Sequence, residues 1–319
     1  MTLAILSILG GLVLLALGAE GLVRGSSSIA LRMGVTPLVV GLTIVAFGTG
    51  SPEMVVSLQA ALAGSSDLAL GNIVGSNIAN IALILGLAAL ARPLHVRSEL
   101  LLREVPIMIG VTLFLVVLLH DGQLGRVDGA LLAVGAIAYT VGTYLASRRG
   151  QTVDVETEFA REMPKRQTST GRSVALVIAG FAGLLVGAHV LVDGAIVIAQ
   201  ALGMSQVVIG LTVIAIGTSL PELATSVVAA LRNDADVAFG NVLGSNILNI
   251  LLILGVVAMI QPISSTGLRT RDLVAMVGSA ILLYPLLWRG RILNRWEGGF
   301  LLTGYVAYLF LALRQPHGN

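Results

Sequence analysis

The strongest constraint on this chain is a repeat. Gly41 to Gly86 aligns with Gly210 to Gly255 without a gap, at an offset of 169, and about 26 of the 46 positions are identical. That exceeds the similarity two apolar segments share by accident. The surroundings fix the setting. Hydrophobic residues make up 56% of the 319 and charged residues 11%, against about 25% charged in a soluble globular domain. Uncharged runs such as Leu3 to Ala19, Ile107 to Leu119 and Ala130 to Ala146 reach or approach the roughly 20 residues a helix needs to cross the hydrocarbon core. They lack the short alternation of a barrel strand, and a soluble helical protein would expose too much of this surface. Glycine is abundant, at 38 residues, and small residues let helices approach closely in lipid. The expected fold class is all-α integral membrane, with ten transmembrane helices as two inverted five-helix repeats.

Hydropathy places the spans near 3–23, 36–62, 68–90, 104–120, 127–146, 173–199, 205–231, 237–260, 272–288 and 298–314. A polar stretch from Ser147 to Arg172 separates the fifth from the sixth. The division is therefore 1–146 for the first repeat, 147–172 for a linker and 173–319 for the second repeat. Five spans per half is an odd number, so the second copy enters from the opposite side, an architecture of many secondary transporters. The N-terminus enters an apolar run at once and lacks the basic start and small-residue cleavage site of a secretory signal, so that run reads as the first span. With the N-terminus outside, most Lys and Arg, including Arg92, Arg97, Arg148, Arg149 and those of the linker, fall inside. Arg126, Arg269, Arg271 and Arg314 remain outside. Both termini are thus expected outside and the linker in the cytoplasm, in a multi-pass cell membrane protein of a prokaryotic inner membrane. The aligned pair Arg24 and Asp193 fits the inversion. Without cysteine, the redox compartment is not legible.

The repeats read GLTIVAFGTGSPEMVVS and GLTVIAIGTSLPELATS, and each sets a glutamate, Glu53 or Glu222, near the middle of a span. A carboxylate there costs about 2.5–3.5 kcal/mol even on insertion scales, so it normally faces a cavity or a partner. Pro52 and Pro221 remove an amide donor and disturb the carbonyl four residues back. The helices are expected to break at Gly48 and Gly217, freeing carbonyls for a cation in protein-lined space. A proline kink with a hydrogen-bonded Glu is the plainer reading, but it does not explain two copies at equivalent depth. The next span reads GNIVGSNIANIALILG and GNVLGSNILNILLILG. Asn72, Ser76 and Asn80, like Asn241, Ser245 and Asn249, recur every four residues and form one polar stripe. Asn77 and Asn246 lie one position off it and are assigned, with Gly75 and Gly244, to helix packing. The oxygen ligands are hard and suit calcium; the same set holds sodium. The four histidines form no cluster. His189 aligns with Glu20 as a gating or packing pair, and Asp67 and Asp236 read as helix N-caps rather than ligands.

At these motifs the sequence resembles the cation/calcium antiporter superfamily, most closely its prokaryotic sodium/calcium exchanger branch. The resemblance extends over the full ten-span plan. It implies a central site formed by the second, third, seventh and eighth helices, alternating access in which the first and sixth slide against that core, and several sodium sites around one calcium site. Carried over by position, Glu53 and Glu222 match the principal carboxylates, and Thr49 and Thr218 the carbonyl and hydroxyl ligands. Ala46 and Ala215 match the flanking carbonyls, Ser219, Ser76 and Ser245 the hydroxyls of the sodium sites, and Asn80 and Asn249 the deeper polar pair. Two positions depart from the pattern. Gly50 stands where the family commonly has Ser, with a hydroxyl one residue on at Ser51. Asn249 stands where exchangers often carry Asp, leaving two acids rather than three.

The expected function is secondary active cation antiport, sodium for calcium, with proton or potassium coupling as the near variant and a cation channel as the different class. No nucleophile–base pair or cofactor motif points to an enzyme. The expected partners are the lipid bilayer and small inorganic cations, with no cofactor, no nucleic acid and no obligate protein partner. Calcium and sodium are expected as cargo.

Overall fold

The structure, a computed structural model, describes residues 2–149, 169–202, 215–265 and 268–314. Most of the expected linker and the first part of the expected seventh span lie outside the described residues. Seven described helices are long and apolar enough to cross a bilayer, and the number is eight if a bent pair is counted as one span. The first half contains α1 (Thr2–Met33), the bent pair α2 (Pro37–Thr49) and α3 (Ser51–Leu62), α4 (Ser66–Ala91), α5 (Leu100–Asp121) and α6 (Arg126–Arg149). The second contains α7 (Thr170–Ala201), α8 (Ala215–Thr218), α9 (Leu220–Leu231), α10 (Ala235–Ile260), α11 (Thr270–Trp288) and α12 (Arg295–Arg314).

α4 and α10 form the centre: 78% of the most apolar stretch of each is buried, against 28% for α1 and α7. A helix apolar all round is a core helix or faces lipid, and burial separates the two cases here. α1 and α7 run antiparallel along the side of this centre. A Cβ at Gly18 would stand 2.8 Å from Gly180 O, and one at Gly180 would stand 2.8 Å from Gly18 O, so glycine is what allows this backbone approach. α1 extends past the expected end near residue 23 because its polar last turns are satisfied in place. Ser26 donates to Val23 O, Ser27 to Asp234 Oδ2, and the Ser28 and Ser173 hydroxyls share a hydrogen bond.

The offset of 169 reappears in the packing. Gly86 of α4 abuts Gly298 of α12, and their mates Gly255 of α10 and Gly129 of α6 abut each other. Two short antiparallel ladders behave alike. β1 (Leu94–His95) pairs with β4 (Ile292–Leu293), and β2 (Gln123–Leu124) with β3 (Ile263–Ser264). The offset carries β1 to β3 and β2 to β4, so each ladder joins a loop of one half to a loop of the other.

Three expectations need correction. The bend between α2 and α3 is 45° and falls at Gly50, not Gly48. In the second half the interruption is Ser219, not Gly217. The proline strips the partner from the carbonyl four residues back, but the chain turns between the two, where Gly50 N still reaches Ala46 O at 3.0 Å. Asp67 and Asp236 are not N-caps. The caps are Ser65 and Asp234, and the Asp234 side chain accepts from Val237 N at 3.3 Å. Asp236, inside the first turn, pairs with Arg97 at 3.0 Å; an acid there still favours the helix N-terminus.

Candidate cation site

The two helix breaks, at Gly50 and Ser219, deliver Glu53 and Glu222 into the centre. Each opens a helix directly after its proline, which is tolerated there because the first amides lack intrahelical acceptors. Both are 1% exposed. The Glu53 Oε1 atom accepts from Ser219 of the opposite half at 3.1 Å and from Ser76 of α4 at 3.4 Å. The Thr218 hydroxyl also faces Glu53, and the Thr49 hydroxyl faces Glu222. Each carboxylate is therefore met by a threonine from the other half.

The expected stripes divide into three levels. At the first, Asn72 donates to Glu53 O at 3.4 Å and Ser57 Oγ at 3.0 Å, while Asn241 donates to Glu222 O at 3.2 Å and Ser226 Oγ at 3.0 Å. Thr49 also donates to Asn241 Oδ1 at 3.0 Å. These asparagines hold the glutamate turns in place. At the second level stand Ser76 and Ser245. At the third, Asn80 Nδ2 donates to Asn246 Oδ1 at 3.1 Å, and Asn249 Nδ2 donates to Asn77 Oδ1 at 3.0 Å. The offset converts one of these bonds into the other, and Asn77 donates in addition to Asn246 O at 3.2 Å. Asn77 and Asn246, assigned by spacing to packing alone, thus position the deeper amides. π turns begin at Asn80 and at Asn249, a distortion often found at functional sites.

Not every expected residue joins this cluster. Ser51 donates back to Phe47 O at 3.3 Å and to neither carboxylate. Ala46 presents its carbonyl near the Gly50 turn, and Ala215 opens α8 at the equivalent position. His189 lies 3.5 Å from Asp193 on its own helix, whereas its mate Glu20 pairs with Arg24 and with Arg232 across the interface with α9. Ser57 and Ser226 were missed, although each lies four residues after a repeat glutamate and is identical in both copies.

Hydrogen bonding leaves a remainder. Of the eight buried side-chain polar atoms without a hydrogen-bond partner among the described residues, four belong here: Glu53 Oε2, Glu222 Oε2, Asn80 Oδ1 and Ser245 Oγ. Buried polar groups are normally paired, and two carboxyl groups in a low-dielectric interior are neutralised either by a bound cation or by protons. Carboxylate, amide and hydroxyl oxygens from four helix segments are a hard donor set for an oxygen-seeking cation. Among the described residues no group of three or more acidic, His or Cys side chains offers an alternative metal cluster.

Known proteins match this arrangement over nearly its whole length. The family described as "Sodium/calcium exchanger protein" matches residues 3–145 and 172–314. CaxA of Alkalimonas amylolytica is 42% identical over 316 residues, 98% of this chain and 99% of that one. The sodium/calcium exchanger MaX1 of Methanosarcina acetivorans is 31% identical over 342 residues, 97% of this chain and 98% of the other. A solved structure of the sodium-calcium exchanger NCX_Mj superposes with a TM-score of 0.84 at 34% identity, covering 98% of this chain and 99% of that one. With the family matching both halves and a fold shared end to end, this chain belongs to the sodium/calcium exchanger protein family.

Proposed function

We propose that the chain exchanges sodium for calcium across a cell membrane by alternating access, at one site built from Glu53, Glu222 and the oxygens around them. The observation that carries this reading is the set of four orphaned buried oxygens on the paired carboxylates and stripes. A bound cation supplies the partner each lacks. One calcium, or more than one sodium, balances two carboxylates. Without a cation the carboxylates repel across a short low-dielectric gap, so the unloaded protein changes access reluctantly and the loaded protein readily. That difference is the physical basis of obligatory exchange. The ligands are Thr49, Thr218, Ser76, Ser219, Ser245, Asn80 and Asn249 with the carbonyls of Ala46 and Ala215, and Ser51 stands at the edge of the set.

The reading includes ten spans in two inverted halves, 1–146 and 173–319, with both termini outside and the 147–172 linker in the cytoplasm. It is supported by the packing pairs and ladders that the offset exchanges. The remaining two crossings are α12 and the span that ends in α8 and α9. α1 and α7, in contact through glycine backbone, are the pair that slides against the centre. The protein is a transporter, not an enzyme, and needs no resident cofactor. The test is calcium uptake by purified protein in liposomes loaded in turn with sodium, potassium or buffered protons. Uptake driven by an outward sodium gradient supports the proposal. Uptake driven by protons alone would replace sodium as the coupling ion.

A further inference from the structure

The offset pairs Gly50 with Ser219, and the two halves of the site differ there. On the Glu53 side both neighbouring hydroxyls are in use, Ser219 at 3.1 Å and Ser76 at 3.4 Å. On the Glu222 side the first hydroxyl is missing, because the residue is glycine, and the second, Ser245 Oγ, has no hydrogen-bond partner. The backbone does not demand glycine. Gly50 has φ −76° and ψ 3°, and Ser219 adopts φ −89° and ψ 6° in the same role. What glycine provides is space. A Cβ on Gly50 would stand 3.1 Å from Ala46 O, 3.6 Å from Asn249 Oδ1 and 3.9 Å from Glu222 Oε1. A backbone carbonyl, an amide oxygen and a carboxylate converge on that point, and all three are acceptors. The space adjoins a cavity of about 120 Å³ between the α2–α3 bend and α10, whose lining combines Ala46, Gly50, Ser51 and Asn249 with apolar side chains, Met54, Leu248 and Ile253 among them.

Cation selection depends on cavity size, ligand number and flexibility. We propose that Gly50 is a specificity-determining position: it widens the Glu222 half so that potassium, larger than sodium, competes with sodium there, while Ser219 keeps the Glu53 half narrow. The inference rests on the cation-antiport reading and deepens it. Its test is binding, not transport. A ligand that binds only the folded state raises thermal stability by mass action, so purified protein is melted against rising sodium chloride or potassium chloride, with choline chloride holding ionic strength constant. In the unaltered protein both ions are expected to stabilise. Gly50→Ser, which adds a hydroxyl and fills the space, is expected to weaken the potassium effect by about tenfold or more while leaving sodium within about threefold. The reverse change, Ser219→Gly, keeps the question answerable if Gly50→Ser does not fold, and is expected to raise the potassium response relative to sodium. No potassium effect in the unaltered protein, or the same potassium-to-sodium ratio in the variants, overturns the inference. Loss of calcium exchange in liposomes with every counter-ion would sink the antiport reading instead, leaving this binding comparison intact.

Discussion

Replacing Glu53 by Gln separates charge from shape at the centre of the site. Gln keeps the volume and still accepts from Ser219 and Ser76 through its carbonyl oxygen, the bonds now made at 3.1 and 3.4 Å. What disappears is one of two carboxylates, at a position only 1% exposed. A unit charge pair about 4 Å apart is worth roughly 4 kcal/mol at an effective dielectric near 20. A divalent ion doubles that gain, and stripping its water takes part of it back. Retaining only one unit pair, about 4 kcal/mol, corresponds to roughly a 10³-fold loss of calcium affinity. The assay is calcium binding to purified protein by titration calorimetry, beside calcium exchange in liposomes, with folding checked by the melting transition. Calcium affinity within about tenfold of the original in a folded Gln variant would refute the reasoning, because a carboxylate that coordinates the ion cannot be neutralised so cheaply.

The remaining expectations address the scaffold, the deeper amides and the topology. Asn246→Leu removes the side-chain acceptor of Asn80 and leaves that buried amide unpaired, while Asn77 keeps its bond to the residue 246 carbonyl; the cost of about 1–3 kcal/mol would register as a lowered melting temperature with sodium absent. Asn249→Asp adds a potential charge to a site with two, so calcium affinity should change and become more dependent on pH; unaltered behaviour across a pH series, together with full transport by Asn249→Leu, would return this residue to packing. Gly180→Val pushes a side chain into α1 at Leu22 N and Gly18 O, and overpacking of this kind costs about 1–3 kcal/mol, read as a lower melting temperature and slower exchange. Single cysteines at the exposed Asp121 and Arg289, in loops whose strands belong to different ladders, should react with an impermeant thiol reagent from outside and from inside respectively; labelling of both from one side would contradict the inverted plan.

The sequence carried much of this because it is written twice. A motif repeated at a fixed offset identified Glu53 and Glu222, the prolines behind them and the polar stripes, since each copy discounts chance in the other. The errors lie where local spacing meets a partner from elsewhere. Proline chemistry locates a weak carbonyl, but which residue takes up the turn depends on remaining hydrogen bonds, and Gly50 N retained Ala46 O. Asp234, not Asp236, caps α10, because helix ends slide by a residue or two until a side chain reaches a free amide. Asn77 and Asn246 looked like packing residues because their stripe is invisible within one helix. Their partners are Asn249 and Asn80, 172 and 166 residues away, and only the pairing of the two halves reveals them.

Obligatory exchange requires that the two fluxes be tied to each other. Purified protein in liposomes loaded with tracer sodium gives the direct measurement, with external calcium present or withheld and the membrane potential clamped. The expected result is sodium release that requires external calcium, is matched by calcium entry, and is abolished by Glu222→Gln. Sodium release at the same rate with no exchangeable cation outside would contradict the account, because a site whose carboxylates cross only when loaded cannot pass sodium in one direction alone.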